Sequence, residues 1–337
     1  MEQDTNPIFQ LKSSFPDVDL IYQYDERNSN NEEVLEGLFF LIWNISNRIT
    51  PLKEHLSQNG FTGETSLEDY NLDDFKKLIE CYNGGMDEIR SLPIQQIEEI
   101  LSEEYSLTSD EYERIDDFLY GKHVRNFTIF RSKAKFKNLN YGELTYYGFE
   151  VLKSHLSINN SDIFVDLGCG VGQIVFQAAA TTPIKKAIGV ECDENRINVA
   201  KSMNDDFKKI MKMGNFRHGE VEIIAGSFLY RPIRNKVLQG SIFFIHNTTF
   251  TPDLNESIKE GIIKKLKENS ILIMAESYKT YKTINKRNVG DVSSILKCIN
   301  TVVGKNLVSY KPGAQKYFIE RIDRSEYYKF TSKFTSK

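Results

Sequence analysis

The sequence predicts an α/β fold, a mostly parallel sheet covered by helices on both faces, joined to a helical N-terminal extension. Three observations carry that expectation. From Ile163 onward, short apolar runs of strand character alternate with helical patterns. The first run opens into a loop with glycines at alternate positions. Successive runs also close on polar or acidic residues, at Asp166, Glu191, Ser227 and His246/Asn247. Those are the C-terminal strand ends, where ligands gather in such a fold.

A chain of 337 residues is long enough for two domains, or for one large domain with an extension. We divide it into an acidic helical part (1–120), a basic linker and loop (121–145), the α/β domain (146–325) and a short basic tail (326–337). Residues 1–117 hold about 27 acids and about 8 Lys/Arg; the rest holds about 35 Lys/Arg and about 20 acids. A basic second part suits a polyanion or a partner that carries one. Two solvated surfaces of opposite sign would give the same count.

Cys81, Cys169, Cys192 and Cys298 lie far apart, with no C-x-x-C pairing. They read as free thiols of a reducing compartment, and no metal site is expected. The acidic start of the chain is unlike a secretion signal. The strongest apolar run, Leu38 to Ile45, is too short to span a bilayer. The expectation is a soluble intracellular protein with no membrane contact.

Residues 1–33 read as polar and irregular. Glu32 to Ile49 follows as a helix with Leu35, Phe39, Leu41, Ile42 and Ile45 inward. Ser57 to Gly63 is a loop. Asp73 to Ile89 is helical, with Phe75, Leu78, Ile79, Tyr82 and Met86 on one face. Pro93 to Tyr105 reads as an acidic helix, and Thr108 caps another. From Lys122 to Lys137 basic residues interleave with aromatics. That pattern fits a candidate nucleic-acid contact, and equally a basic linker packed by its three phenylalanines.

A helix is expected from Tyr146 to about Leu156, after the polar loop 140–145. Strands follow at 163–167, 187–191, 220–228, 241–250 and 271–276. Helices are expected at 173–180, 195–213, 254–268 and 289–299, with closing strands at 307–310 and 317–322. In Ile163-Phe-Val-Asp-Leu-Gly-Cys-Gly-Val-Gly-Gln173 the glycines allow a tight turn and close approach to a ligand. The spacing is G-x-G-x-G, not the G-x-G-x-x-G of dinucleotide binders. Asp166 is placed to meet an ammonium group or, through water, a ribose. Glu191, about twenty residues on, stands where a ribose-binding acid belongs. Together these features resemble the S-adenosylmethionine site of a seven-stranded methyltransferase.

Further residues narrow the resemblance. Tyr141-Gly-Glu-Leu144, Phe164 to Gln173, Gly189-Val-Glu191, Lys286 to Asp291 and Tyr317 to Arg324 resemble the catalytic domain of the disruptor-of-telomeric-silencing family. Its members are histone lysine methyltransferases that lack a SET domain. The likeness covers about residues 70–324. It implies a Rossmann-like seven-stranded class I methyltransferase fold with a helical N-terminal extension. It also implies S-adenosylmethionine as cofactor and a histone H3 lysine on the nucleosome surface as substrate, in the nucleus. The protein is expected to be a monomer.

By resemblance, the cofactor is held by Tyr141, Gly142, Glu143, Leu144 and Thr145; by Phe164, Val165, Asp166, Leu167, Gly168, Cys169, Gly170, Val171, Gly172 and Gln173; and by Glu191, Ser227 and Phe228. Phe250, Tyr310 and Tyr317 line a narrow lysine channel with His246 and Asn247 at its base. Cys169 stands where the family tends to have Ser, Ser227 where it has an acid, and His246 where it has Asn. Thr248 replaces an aromatic and Tyr310 a Trp. These departures keep two alternatives open: a methyltransferase for another protein or RNA, and an inactive module that kept the fold.

Overall fold

The computed structural model describes residues 7–26, 30–63, 65–124, 144–309 and 313–335. Two compact units emerge, Met1–Asn126 with Lys201–His218, and Phe127–Ala200 with Gly219–Lys337.

The first unit is mainly helical. It begins with two short antiparallel strands, β1 (Ile8–Leu11) and β2 (Leu20–Gln23), where the sequence reads as irregular. Alternate residues Phe9, Leu11, Leu20 and Tyr22 are buried, a period-two pattern too brief to stand out in sequence. Helix α1 (Asn31–Arg48) buries Val34, Leu38, Leu41, Ile42 and Ile45. The buried stripe is therefore turned slightly from the expected one, leaving Leu35 and Phe39 half-buried.

Helix α2 (Thr50–Gln58) follows, then α3 (Leu72–Arg90), which buries Phe75, Leu78, Ile79, Tyr82 and Met86 as its spacing predicts. Each such residue contributes roughly 1.5–3 kcal/mol. The next helix, α4 (Ile94–Ile100), is shorter than expected. Beyond it the Asn215 side chain donates to the carbonyls of Leu101 and Glu103, and Tyr105 pairs with Phe216. Those carbonyls are taken by a distant segment, so the helix does not continue. In α5 (Ser109–His123) the Thr108 hydroxyl and Glu111 carboxylate satisfy each other's backbone N–H groups as a capping box.

The second unit holds the sheet. Helix α6 (Tyr146–Lys153) starts at the Thr145 cap and precedes β3 (Ile163–Leu167), α7 (Gln173–Thr181) and β4 (Lys186–Glu191). Helix α8 (Glu194–Met213) starts here and passes into the first unit at Lys201. Then come β5 (Glu220–Ala225), α9 (Arg231–Val237), β6 (Ile242–Ile245), α10 (Pro252–Gly261), β7 (Ile271–Met274), β8 (Leu296–Lys305), β9 (Ala314–Ile322) and α11 (Ser325–Thr335).

The strand order is β5-β4-β3-β6-β7-β9-β8. The first five strands are parallel, and β9 inserts antiparallel between β7 and β8. This is the seven-stranded class I methyltransferase order. The direction in which strands are added reverses between β3 and β6, so the ligand crevice lies beyond their C-terminal ends. The core packs Val165, Leu167, Phe243, Ile245, Leu272 and Met274 from the central strands against Ile258, Ile262 and Ile322.

The end of the sheet differs from the sequence expectation. The helix expected at 289–299 is a single 3-10 turn, Val292–Ser294, capped by Asp291, and the chain then enters β8. The strand expected at 307–310 is replaced by this earlier one. Leu296 to Val303 is rich in β-branched residues, and pairing with β9 decides a run that local pattern leaves ambiguous.

Candidate active site

The crevice is built from the glycine loop upward. Gly168, Gly170 and Gly172 have φ of 97°, 57° and 89°, a region that side chains disfavour. The Gly168 and Cys169 N–H groups both donate to the Val190 carbonyl, at 2.9 and 3.1 Å. Gly170 donates to Glu191 Oε2 at 3.0 Å. The loop is thereby fastened to the end of β4. Gly189 makes the fit possible, because a Cβ there would come 2.7 Å from Cys169 Sγ.

Glu191 Oε1 accepts from the N–H groups of Cys192 and Asp193, at 2.7 and 2.8 Å. A carboxylate has about four acceptor positions, so acceptor capacity remains for a ligand hydroxyl. Asp166 is different. It is 4 % exposed, and no hydrogen bond reaches its side chain among the described residues. Burial, with repulsion from Glu191, raises its pKa well above the usual carboxylate range. A buried acid with no donor, beside a second acid, calls for a cationic or donor-bearing ligand. The residues therefore fit a cofactor that brings an ammonium to Asp166 and hydroxyls to Glu191.

Aromatic rings stand around this crevice. Phe250 stacks on Phe228 with ring centres 6.4 Å apart. A Cβ on Gly168 would lie 3.8 Å from Phe250, so that ring faces the glycine loop. In register, Phe244 of β6 lies beside Asp166 of β3. Phe244 also stacks with His246 and with Tyr317, at 6.4 and 6.1 Å. The Tyr317 hydroxyl lies 2.8 Å from His246 Nδ1. Burial lowers the His246 pKa to about 4, so the imidazole is neutral near pH 7.

Residues 120–322 match the family model described as "Histone methylation protein DOT1". The chain belongs to this family. It is 28% identical over 186 residues to a histone-lysine N-methyltransferase, H3 lysine-79 specific, of Drosophila melanogaster, covering 55% of this chain and 10% of that one. It is 24% identical over 314 residues to a protein of the same description from Aspergillus fumigatus, covering 92% of this chain and 59% of that one. The chain thus spans a tenth to about three fifths of these two relatives. Among solved structures it is similar to an RNA methyltransferase from Salinibacter ruber in complex with S-adenosyl-L-homocysteine, at 15% identity and a TM-score of 0.36, covering 53% of this chain and 92% of that one.

In this DOT1-family chain, the structure brings Asp166, Gly168 to Gly172, Glu191, Phe228 and Phe250 together at the strand ends. His246 and Tyr317 join them through Phe244. Phe164, Val165, Leu167 and Val171 are buried, and Gln173 opens α7. Ser227 is exposed and accepts from the Leu229 N–H. Asn247 is turned to the backbone: its amide donates to the Glu276 carbonyl at 2.9 Å and its oxygen accepts from the Glu276 N–H at 2.8 Å.

Leu144 bridges to Val308, and Thr145 is tied to Leu307 by its N–H at 2.8 Å. Tyr141, Gly142, Glu143 and Tyr310, and Arg125 to Lys137 of the basic-aromatic stretch, lie outside the described residues. Sequence reasoning missed Phe244 as a site residue. Its signal was the alternation in Phe243-Phe244: Phe243 packs in the core, so its neighbour faces the other side of the sheet.

Among the described residues, no group of three or more His, Cys, Asp or Glu is placed to hold a metal. No helix of the described residues is long and apolar enough to cross a membrane.

Proposed function

We propose that this chain is an S-adenosylmethionine-dependent protein lysine methyltransferase. Its substrate is lysine-79 of histone H3 on the nucleosome, and it works in the nucleus. The observation that carries the chemistry is the pair of buried acids at adjacent strand ends, with Glu191 clasping the glycine loop and the Asp166 side chain left without a donor among the described residues. Family membership and the printed names of the relatives support the substrate.

When bound, S-adenosylmethionine supplies a methyl group on a sulfonium for in-line displacement by an amine. Asp166 holds the ammonium of the methionine end and Glu191 the ribose hydroxyls. Phe228 and Phe250 flank the glycine loop. The lysine must arrive neutral, yet in water at neutral pH only on the order of one part in a thousand is, a deficit of about 4 kcal/mol. A channel walled by Phe250, Tyr317 and neutral His246 disfavours the ammonium by desolvation and holds the nitrogen in line. Held by Tyr317 at Nδ1 and kept neutral by burial, His246 serves as a wall of the channel. Asn247 fixes the channel floor through the Glu276 backbone.

The test is methyl transfer from labelled S-adenosylmethionine to reconstituted nucleosomes, with free histones and RNA in parallel and Gly170→Arg as control. Labelling of histone H3, lost in the variant, is the expected result. Labelling of RNA or another protein alone overturns the substrate. Cofactor binding with no transfer to any acceptor overturns the activity and leaves an inactive module.

A further inference from the structure

Away from the strand ends, the first unit carries a groove of about 410 Å3 between Tyr24, the start of α1 and residues 67–75. Its walls are half-buried and largely apolar: Tyr24, Leu35, Leu67 and Tyr70. Its rim is Glu32, Glu36 and Glu68, all exposed, and among the described residues no lysine or arginine lines it. None of the three side chains has an ion pair or hydrogen bond among the described residues. Nearby Asp73 and Asp74, by contrast, are paired with Lys76 and Lys77.

The rings are held in place. Tyr70 meets Phe39 edge-on at 5.6 Å, and Tyr24 meets Phe9 edge-on at 6.2 Å. Negative charge also accumulates beside the groove. Partial burial, with Glu113, Glu33 and Glu36 nearby, pushes Asp117 up to about 6. An apolar cleft with fixed aromatic walls and unpaired carboxylates on its edge is complementary to a long side chain that ends in a cation.

We propose that this groove binds a basic peptide of another protein, taking one lysine side chain with its stem on Leu35 and Leu67. Its ammonium, methylated or not, lies beside the Tyr24 and Tyr70 rings under the three glutamates. The groove holds the peptide in place and takes no part in methyl transfer. The inference is independent of the strand-end site, because every wall residue lies in the first unit.

Fluorescence anisotropy with the full chain tests this. The probe is a labelled repeat peptide of Lys and Ala, compared with the same peptide acetylated on every lysine, which removes the charge and keeps the length. Saturable binding of the lysine peptide is expected, at least about tenfold tighter than the acetylated one. The double variant Glu36→Gln/Glu68→Gln and the single variant Tyr70→Leu should each weaken it by about fivefold or more. Tyr70→Leu leaves the net charge unchanged, so it separates this groove from general attraction to an acidic surface. The double variant alters only exposed side chains and keeps the fold.

Absence of saturable binding overturns the proposal. So does equal binding of the acetylated peptide, or binding that falls with the glutamates and is untouched by Tyr70→Leu in a folded variant. Tighter peptide binding after replacing the lysines of 122–137 by alanine would make that segment of the same chain the occupant, and would overturn the proposal too.

Discussion

Gly170 donates its backbone N–H to Oε2 of Glu191 at 3.0 Å, joining the glycine loop to the end of β4 across 21 residues of sequence. The other oxygen of Glu191 accepts two more N–H groups. Glutamine in its place has one acceptor and turns an amide donor toward a backbone donor. Glu191→Gln should therefore destabilise the chain by roughly 1–3 kcal/mol. Hydrogen exchange should speed up at Gly170 or at Cys192, and S-adenosylmethionine affinity should fall at least about tenfold. Unchanged protection at those amides would refute the clasp.

Asp166 should show a conflict between stability and binding. Its pKa is raised in the folded chain by burial and by Glu191, so the folded state holds its proton to higher pH than the unfolded state does. The cost of ionising it appears as pH rises above the ordinary carboxylate range, and is present when the group is charged. Asp166→Asn should raise the Tm of the cofactor-free chain at alkaline pH and weaken cofactor binding. Below the pH at which the cofactor's own amine loses its proton, titration calorimetry should show wild-type affinity rising with pH, because an ammonium needs the carboxylate. The variant should lose that slope.

His246 gives the opposite sign. Its pKa falls from 6.5 to about 4 on folding, so between those values the unfolded chain binds the extra proton. Stability is present above 6.5 and is lost as pH falls toward 4. Thermal melts across that window should show a drop in Tm that is smaller in His246→Asn. Tyr317→Phe removes the hydroxyl partner at Nδ1 and should lower stability by about 1 kcal/mol at neutral pH.

Gly148 packs where no side chain fits. A Cβ there would overlap the Leu307 carbonyl oxygen, which is the acceptor for the Thr145 N–H. Gly148→Ala should cost roughly 1–3 kcal/mol, read as a fall in Tm, although alanine is the better helix former. A stabilised variant would show that the cap and the 306–307 turn can separate freely.

The run from Phe164 to Gln173 was legible because its strand period, its glycines and its terminal acid all agree. Helix α3 was legible because its apolar spacing is long and regular. The segment after Val289 was not, since a short apolar run fits helix and strand alike until β9 lies beside it. Asn247 shows the same limit at the site. Its place just past the end of β6 could be read from sequence, but the Glu276 backbone it grips lies just past β7, 29 residues away.

The sequence by itself determined the succession of the five parallel strands, the turn of the glycine loop and the positions of Asp166 and Glu191. All of these follow from short-range periodicity and from what glycine alone can adopt. Only the tertiary structure decided that Asp166 is buried with no donor among the described residues, that Phe244, His246 and Tyr317 stack, and that unpaired glutamates rim an aromatic groove. Burial and partner choice depend on which distant residues meet, and no local pattern in the chain records that.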